Sequence, residues 1–236
     1  MRIEGYMIPH DDKIEMNGED GYFIHYANDA TYLCVFDGVG GWANKGVNVK
    51  EFVNEMIENC KMSINKGHLN PEIIIEDALN HTEQAGSLTA IMAIIQENNM
   101  KIYQIGDSGM VIINGDRIIF KTDEQQHSFN YPYQIGRTGS GEFHGDKPSE
   151  GLFYRITIND GDTVIMGSDG LFDNLNNGEI VNNDESAKEL CLEAYRNSKQ
   201  SIKIVPFYQR AYNEGYIDYL KQGGKQDDIT AVIIYN

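Results

Sequence analysis

Basic residues are scarce in this chain of 236 residues, in which 19 lysines and arginines face 36 aspartates and glutamates and leave a formal net charge of -17. Such an acidic protein repels a phosphate backbone and offers no basic stripe for one, so we expect no nucleic-acid partner. An acidic protein that binds phosphate must reverse its local charge somewhere, and bound metal ions are the usual means. The charge balance therefore favours a protein that binds cations.

Cysteine and long apolar runs are scarce as well. Cys34, Cys60 and Cys191 are widely separated and form no Cys-x-x-Cys pair, which excludes the common zinc and redox motifs and favours a reducing intracellular compartment. No stretch approaches the roughly 18 apolar residues that a membrane-spanning helix needs. We therefore expect no membrane partner and a cytoplasmic location, or an organellar one if a targeting segment precedes residue 1.

The hydrophobic content of 41% and the length predict one globular domain over residues 1–236, which we expect to be monomeric. β-favouring runs predict strands at 22–26, 32–36, 88–95, 101–105, 110–113, 117–120, 152–158, 163–166 and 229–235. Apolar spacings of three and four predict helices at 49–64, at 71–84 with Asn70 as cap, and near 184–199 and 206–219. This order is typical of an α+β protein with two antiparallel sheets face to face and helices outside.

The connections between these elements are also predicted. Residues 88–120 read as an antiparallel meander, and residues 152–166 as a second hairpin. The segment 121–151 shows no period and is rich in polar residues and glycine, so we expect a long lid-like loop there.

Acidic residues stand where the predicted strands end. The first hairpin turns at Asn28 and Asp29, so Glu19 and Asp20 before one strand and Asp37 after the other must meet at its open end. Other acids take similar positions beside later strands or in a tight turn: Asp107, Asp169, Asp227 and Asp228. If those strands share one sandwich, all of these acids can line the same edge.

Carboxylates a few ångströms apart repel one another, so such a cluster is tolerable only with protons or cations in it. Oxygen ligands without histidine suit magnesium and manganese and not zinc. A glycine beside each of Asp37, Asp107 and Asp169 allows backbone to approach an ion closely. The sequence therefore predicts a Mg²⁺ or Mn²⁺ centre at this edge.

The acids lie in, or close to, six short segments spread over nearly the whole chain, which are Gly18-Glu19-Asp20, Val35-Phe36-Asp37-Gly38-Val39-Gly40-Gly41-Trp42, Gly86-Ser87-Leu88-Thr89-Ala90, Gly106-Asp107-Ser108-Gly109, Gly167-Ser168-Asp169-Gly170-Leu171-Phe172-Asp173-Asn174 and Asp227-Asp228-Ile229-Thr230. In this order, the segments resemble the motifs of the type 2C (PPM) serine/threonine protein phosphatases. The branch with Asp-Gly-Val-Gly-Gly-Trp, which includes organellar phosphatases, is the most similar. The resemblance implies a four-layer α-β-β-α sandwich.

The resemblance also implies a binuclear Mg²⁺ or Mn²⁺ centre that activates water to hydrolyse phosphoserine or phosphothreonine in protein substrates, without a phosphoenzyme intermediate. Asp37 would bridge both ions beside the Gly38 carbonyl, and Asp37 and Asp169 would carry the catalysis. The further implied ligands are Asp169 and Asp227 for the first ion, Glu19 for the second, and Asp107 with Asp169 for a third, more weakly bound ion. Asp20 and Asp228 would support these ligands indirectly.

Two positions depart from the common pattern of the family. Val39 stands where a histidine is frequent, so the leaving group must take its proton from metal-bound water or from His127. Glu15 stands where an arginine often binds phosphate, and Lys13 and Arg2 are the available substitutes. These departures leave open a phosphatase-like binding module without turnover. A calcium-binding structural protein is a third class, although the spaced acids of an EF-hand loop are absent.

Overall fold

The computed structural model describes residues 1–182, 186–216 and 223–236, which form two antiparallel sheets packed face to face. One sheet has five strands within these ranges. Their spatial order is β1 (Arg2–Ile8), β14 (Ile229–Tyr235), β13 (Asp162–Gly167), β6 (Gly109–Asn114) and β7 (Arg117–Lys121).

The other sheet has seven strands in the described part of the chain. Its continuous part runs β2 (Gly21–Ala27), β3 (Ala30–Gly38), β4 (Gly86–Gln96), β5 (Asn99–Ile105) and β12 (Leu152–Thr157). Beside the first residues of β4, the place of β5 is taken by β10 (Ile135–Arg137), which pairs in turn with β11 (Phe143–Gly145). A separate ribbon joins β8 (Gln126–Ser128) to β9 (Tyr131–Pro132).

Helices cover the outer face of each sheet, which confirms the predicted four-layer arrangement. Apolar residues of α1 (Val49–Asn65) and α2 (Pro71–His81) form one core cluster with the seven-stranded sheet. Those of α3 (Asp169–Phe172), α4 (Asn177–Val181) and α5 (Ala187–Ser198) form another with the five-stranded sheet. A further helix, α6 (Pro206–Asn213), packs against Phe129.

The central strands are apolar on both faces because each sheet lies between a helical layer and the other sheet. In β3, Leu33 and Val35 belong to the cluster between the sheets, whereas Tyr32, Cys34 and Phe36 belong to the cluster under α1 and α2. All five are fully buried. This two-sided burial explains why these strands show continuous apolar runs and not an alternation of apolar and polar residues.

Several local signals are confirmed. Asn28 and Asp29 have φ angles of 52° and 53° and form the two-residue turn between β2 and β3, a conformation that asparagine and aspartate tolerate. At the start of α2, Asn70 Oδ1 accepts a hydrogen bond of 3.0 Å from Glu72 N, and Pro71 is the first helical residue.

The predicted meander is correct in its two hairpins, β4–β5 and β6–β7, but wrong at the connection between them, and the second predicted hairpin is wrong. β5 belongs to the seven-stranded sheet and β6 to the five-stranded one, so the chain crosses between sheets at Gly106–Ser108. β12 and β13 are divided between the sheets in the same way. A short polar turn cannot by itself distinguish a hairpin from a crossover, because both sheets present apolar faces to the space between them.

The segment 121–151 also differs from the expected loop, because it contains β8, β9, β10, β11 and a short 3-10 helix at Pro148–Glu150. β1 was not predicted, since its alternating sequence has few fully buried residues. The helices predicted near 184–199 and 206–219 are present as α5 and α6, while positions 184–185 and 217–219 lie outside the described residues. No helix among the described residues is long and apolar enough to cross a membrane.

The strand registers bring several strand ends to one edge of the sandwich. Asp37 pairs with Thr89 of β4, and Gly167 pairs with Gly109 of β6. Asp169 lies two residues after Gly167, and Asp107 lies two residues before Gly109. The antiparallel pairing therefore brings these two aspartates to the same edge of the sheet. The start of β14 lies beside the end of β13, which adds Asp227 to this edge.

Candidate metal centre

Three aspartates from different parts of the chain converge at this edge. Asp37, Asp107 and Asp169 each offer a carboxylate oxygen, and these oxygens all lie within 4.8 Å of one another. Asp37 comes from the end of β3, Asp107 from the crossover between the sheets and Asp169 from the first turn of α3. The strand-end argument thus predicted their proximity correctly, while their assignment as ligands stays a prediction.

These aspartates line a cavity of about 280 Å³. Gly38 and Asp227, two further predicted ligands, lie on its wall. The remaining lining residues are Lys13, Val39, Gly40, Thr89, Asn130, Pro132 and Lys225. The cavity is therefore the place at which a phosphate group could reach the acids.

Close packing requires glycine directly after two of the aspartates, Asp37 and Asp169. A Cβ atom on Gly38 would lie 2.7 Å from the backbone oxygen of Glu19 and 2.6 Å from Val49 Cγ1. A Cβ atom on Gly170 would lie 2.0 Å from the backbone oxygen of Asp228. The Asp-Gly pairs thus allow the segments that carry the acids to touch one another, whereas the sequence-based expectation concerned a close approach of backbone to an ion.

Glu19, the predicted ligand of a second ion, does not line the cavity. Its Oε2 lies 2.5 Å from Lys13 Nζ, and its side chain is 5% exposed. Burial lowers the pKa of Lys13, but the carboxylates of Asp228 and Glu19 outweigh it and raise that pKa above its ordinary value. Lys13 therefore stays charged and neutralises Glu19 in the absence of an ion.

Asp20 and Asp228 connect the segments around the site. Asp228 accepts hydrogen bonds from His10 N at 2.6 Å and Glu19 N at 2.8 Å, so it joins the start of β14 to the N-terminal segment. Asp20 accepts one from Thr230 Oγ1 at 2.7 Å. These hydrogen bonds hold the segments together, while the indirect support of metal ligands by the two acids stays a prediction.

The electrostatics of the site follow from its burial. Burial raises the pKa of Asp37, and the charges of Asp20 and Asp169 raise it further. Burial and Asp169 likewise raise the pKa of Asp107. For Asp169, burial acts in the same direction, but the charge and hydrogen bond of Lys225 bring its pKa below the ordinary value.

The main residue that the sequence reasoning missed is Lys225. Its Nζ contacts Asp169 Oδ2 and lies 2.6 Å from Asp173 Oδ2 and 3.3 Å from Asp227 Oδ2. The available signal was a lysine two residues before Asp227 in a chain with few basic residues. Asp173, four residues after Asp169, joins the same cluster.

His127 is not among the residues that line the cavity. Its Nε2 lies 2.9 Å from Asp146 Oδ1, and its ring stacks on Tyr133 with 4.1 Å between centroids. Asn130 and Pro132 of the same segment reach the cavity instead. The geometry gives His127 no contact through which it could protonate a leaving group there.

The donor set fits a hard divalent cation. In the described part of the chain, neither Asp37 nor Asp107 has a lysine or arginine nitrogen within 4.0 Å, so neither carboxylate is neutralised by an ion pair. The raised pKa values of Asp37 and Asp107 have the same cause, namely that burial and neighbouring carboxylates are not balanced by a nearby positive charge. Clustered carboxylate oxygens with no histidine or cysteine favour Mg²⁺ or Mn²⁺.

Comparisons with known proteins agree with this geometry. The family described as Protein phosphatase 2C matches residues 12–132. The chain is 34% identical over 97% of its length to "Probable protein phosphatase 2C 55" of Arabidopsis thaliana, of which it covers 50%. It is 32% identical over 97% of its length to "Probable protein phosphatase 2C 26" of the same plant, of which it covers 81%.

A solved structure is similar over nearly its whole length. The X-ray structure of the photosystem II phosphatase PBCP is 29% identical to this chain, with a TM-score of 0.91, and the match covers 98% of this chain and 97% of that one. The chain spans about half the length of the first curated relatives it matches, with 50% and 56% of them covered.

A change at Asp227 tests its predicted role as a ligand. Burial and the charge of Asp169 raise its pKa from 3.8 to about 6 in the metal-free protein. A raised carboxyl pKa contributes stability that is fully present below the unfolded pKa and lost as pH rises through about 6. With chelator at pH 7, Asp227→Asn should therefore raise the unfolding temperature by roughly 2–6 °C, and the gain should vanish near pH 4.

With Mn²⁺ in place of chelator, the order should reverse, because an ion that binds only the folded state stabilises the wild type more. Thermal unfolding followed by circular dichroism measures both conditions, and Asp116→Asn, which changes an aspartate with a 90% exposed side chain, is the control. Equal destabilisation of Asp227→Asn with chelator and with Mn²⁺ would contradict the ligand role.

Proposed function

The chain belongs to the protein phosphatase 2C family, and we propose that it is a metal-dependent phosphatase that hydrolyses phosphoserine and phosphothreonine in protein substrates. The observation that carries the proposal is the convergence of Asp37, Asp107 and Asp169, whose oxygens lie within 4.8 Å of one another. Such a cluster has a chemical use only when cations or protons occupy it. We further propose that residues 1–236 act as one phosphatase domain.

We propose that Asp37, Asp107, Asp169 and Asp227 hold two Mg²⁺ or Mn²⁺ ions, with the Gly38 carbonyl as a further ligand. When bound, the ions would supply Lewis acidity, which lowers the pKa of water and neutralises charge on the phosphate. Glu19 can serve the second ion only by exchanging its contact with Lys13 for one with the ion.

The protein's own residues then bind and orient the substrate. Lys13 lines the cavity and keeps its charge, so it can donate a hydrogen bond to a phosphate oxygen. It would thereby take the part of the arginine that many relatives have two residues later, at the position of Glu15. Val39 lines the cavity with an apolar side chain and cannot supply a proton. Asn130 and Pro132 border the cavity, which supports a substrate-holding role for the segment 121–151.

The alternative function is a phosphatase-like module that binds phosphoproteins without turnover. Val39 and Glu15 motivate it, because both positions lack the groups that are common in the family. The acidic cluster argues against it, since binding a phosphate requires positive charge and not a set of convergent carboxylates. The two functions separate in a hydrolysis assay.

Purified protein should hydrolyse a small aryl phosphate and a phosphothreonine peptide when Mn²⁺ or Mg²⁺ is present, and chelator should abolish the activity. Asp169→Asn should lower kcat by roughly 100-fold or more, because it removes charge from the oxygen cluster that would hold the ions. Release of inorganic phosphate measures the rate.

Asp116→Asn is the matched control, because this aspartate lies on the exposed turn between β6 and β7. It should leave the rate unchanged. Hydrolysis that persists in chelator would end the two-ion proposal, and phosphopeptide binding with no hydrolysis under any metal condition would favour the binding module.

Lys13→Met should lower kcat/KM for the peptide by roughly 10–100-fold, because a charged hydrogen bond to phosphate is lost. Lys13→Arg should restore part of this loss, whereas Lys61→Met, which removes a half-buried lysine of α1 paired with Glu58, should have no effect. If Lys13→Met has the kinetic constants of the wild type, Lys13 does not contact the substrate.

His127→Gln should leave kcat and the acid limb of its pH profile unchanged, even with a poor leaving group, because His127 contacts Asp146 and does not line the cavity. The profile is measured with an alkyl and an aryl phosphate. A lower rate confined to the alkyl phosphate would instead identify His127 as the leaving-group acid.

A further inference from the structure

The ammonium group of Lys225 lies among three carboxylates at the edge of the cavity. Its Nζ contacts Asp169 Oδ2, lies 2.6 Å from Asp173 Oδ2 and 3.3 Å from Asp227 Oδ2. An ammonium has three donors, so each can point at a different carboxylate. The Lys225 side chain is 15% exposed, and its Nζ also lies 4.9 Å from the centre of the Phe207 ring. Lys225 therefore acts as a cation that is tethered in a fixed place.

Asp173, beside it, has both carboxylate oxygens bound to protein cations. Oδ2 accepts from Lys225, and Oδ1 accepts from Arg210, which also lies 3.7 Å from Glu124. The Asp173 side chain is 3% exposed. A divalent ion on Asp173 would have to displace one of these cations or tolerate both at close range.

The acids in and beside the cavity thus fall into two groups. Asp37 and Asp107 have no lysine or arginine nitrogen within 4.0 Å in the described ranges, and burial raises the pKa of both. Asp169 and Asp173 are already neutralised on one side by Lys225. The first group requires bound metal ions for neutralisation, whereas the second is neutralised by the ammonium group of Lys225.

We propose that Lys225 fills the position of a third divalent ion, so that the centre binds two ions and excludes another one between Asp169 and Asp173. This inference rests on the proposed two-ion function and departs from the expectation that Asp107 and Asp169 hold a weakly bound third ion. Because the ammonium group is part of the chain, its occupancy of this position does not depend on the concentration of any free ion. A third ion would meet it at contact distance, where like charges repel strongly in a buried site.

Removal of this ammonium should open a new ion site. In Lys225→Met, the carboxylates of Asp169, Asp173 and Asp227 lose one positive charge in a buried setting, and a divalent ion can replace it. Equilibrium dialysis with metal analysis should find two Mn²⁺ per wild-type chain and three per Lys225→Met chain. Lys225→Arg should retain two, because it keeps the charge.

Lys203→Met is the matched control, since Lys203 is another half-buried lysine whose Nζ contacts a carboxylate, that of Glu179, away from the cavity acids. It should bind two ions as the wild type does. The double variant Lys225→Met/Asp173→Asn should also return to two, because it removes the unpaired charge together with the lysine.

The outcomes separate this inference from the proposed function. Two ions in both the wild type and Lys225→Met, or three in the wild type, would overturn the inference and leave the phosphatase proposal intact. No bound Mn²⁺ in the wild type would overturn both. If Lys225→Met fails to fold, Asp173→Asn decides: an ion count equal to the wild type supports the inference, and a lower count means that Asp173 holds an ion and refutes it.

Discussion

Repulsion among buried carboxylates is the constraint around which this protein is organised. Asp37, Asp107 and Asp169 come from strand and helix ends that the sandwich forces together, and their oxygens lie within 4.8 Å of one another. The fold makes this arrangement possible through two-sided burial, in which each sheet is held between the other sheet and a helical layer. The free energy of that apolar burial offsets the cost of collecting like charges at one edge.

The sequence predicts the acids of the centre better than it predicts their neutralising partners. Asp37 and Asp169 directly follow apolar runs, and antiparallel pairing brings such positions to a common edge. Lys225 and Asp173 carry no comparable signal, because the direction of a side chain from a connecting segment depends on tertiary contacts. The direction of His127 was unpredictable for the same reason, since it is set by Asp146 and Tyr133.

The topology shows a similar division between local and long-range information. Caps and tight turns are encoded in adjacent residues, so the start of α2 at Pro71 and the turn at Asn28 were predictable. The crossing from β5 to β6 was not, because a Gly-Asp-Ser-Gly turn suits a hairpin and a sheet change equally well. That crossing matters for the site, since it places Asp107 between the two sheets, opposite Asp37. The family relation gives the same architecture independently.

β1 pairs with β14 along its whole length, and this pairing determines when the centre can form during synthesis of the chain. Asp228 accepts hydrogen bonds from the backbone of His10 and Glu19, more than 200 positions earlier in the chain. The centre therefore cannot assemble until β14 has been synthesised and has paired with β1. Such distant pairing slows folding, and it also means that a polypeptide that ended before Asp227 would carry most of the acids of the cluster but could not complete the centre.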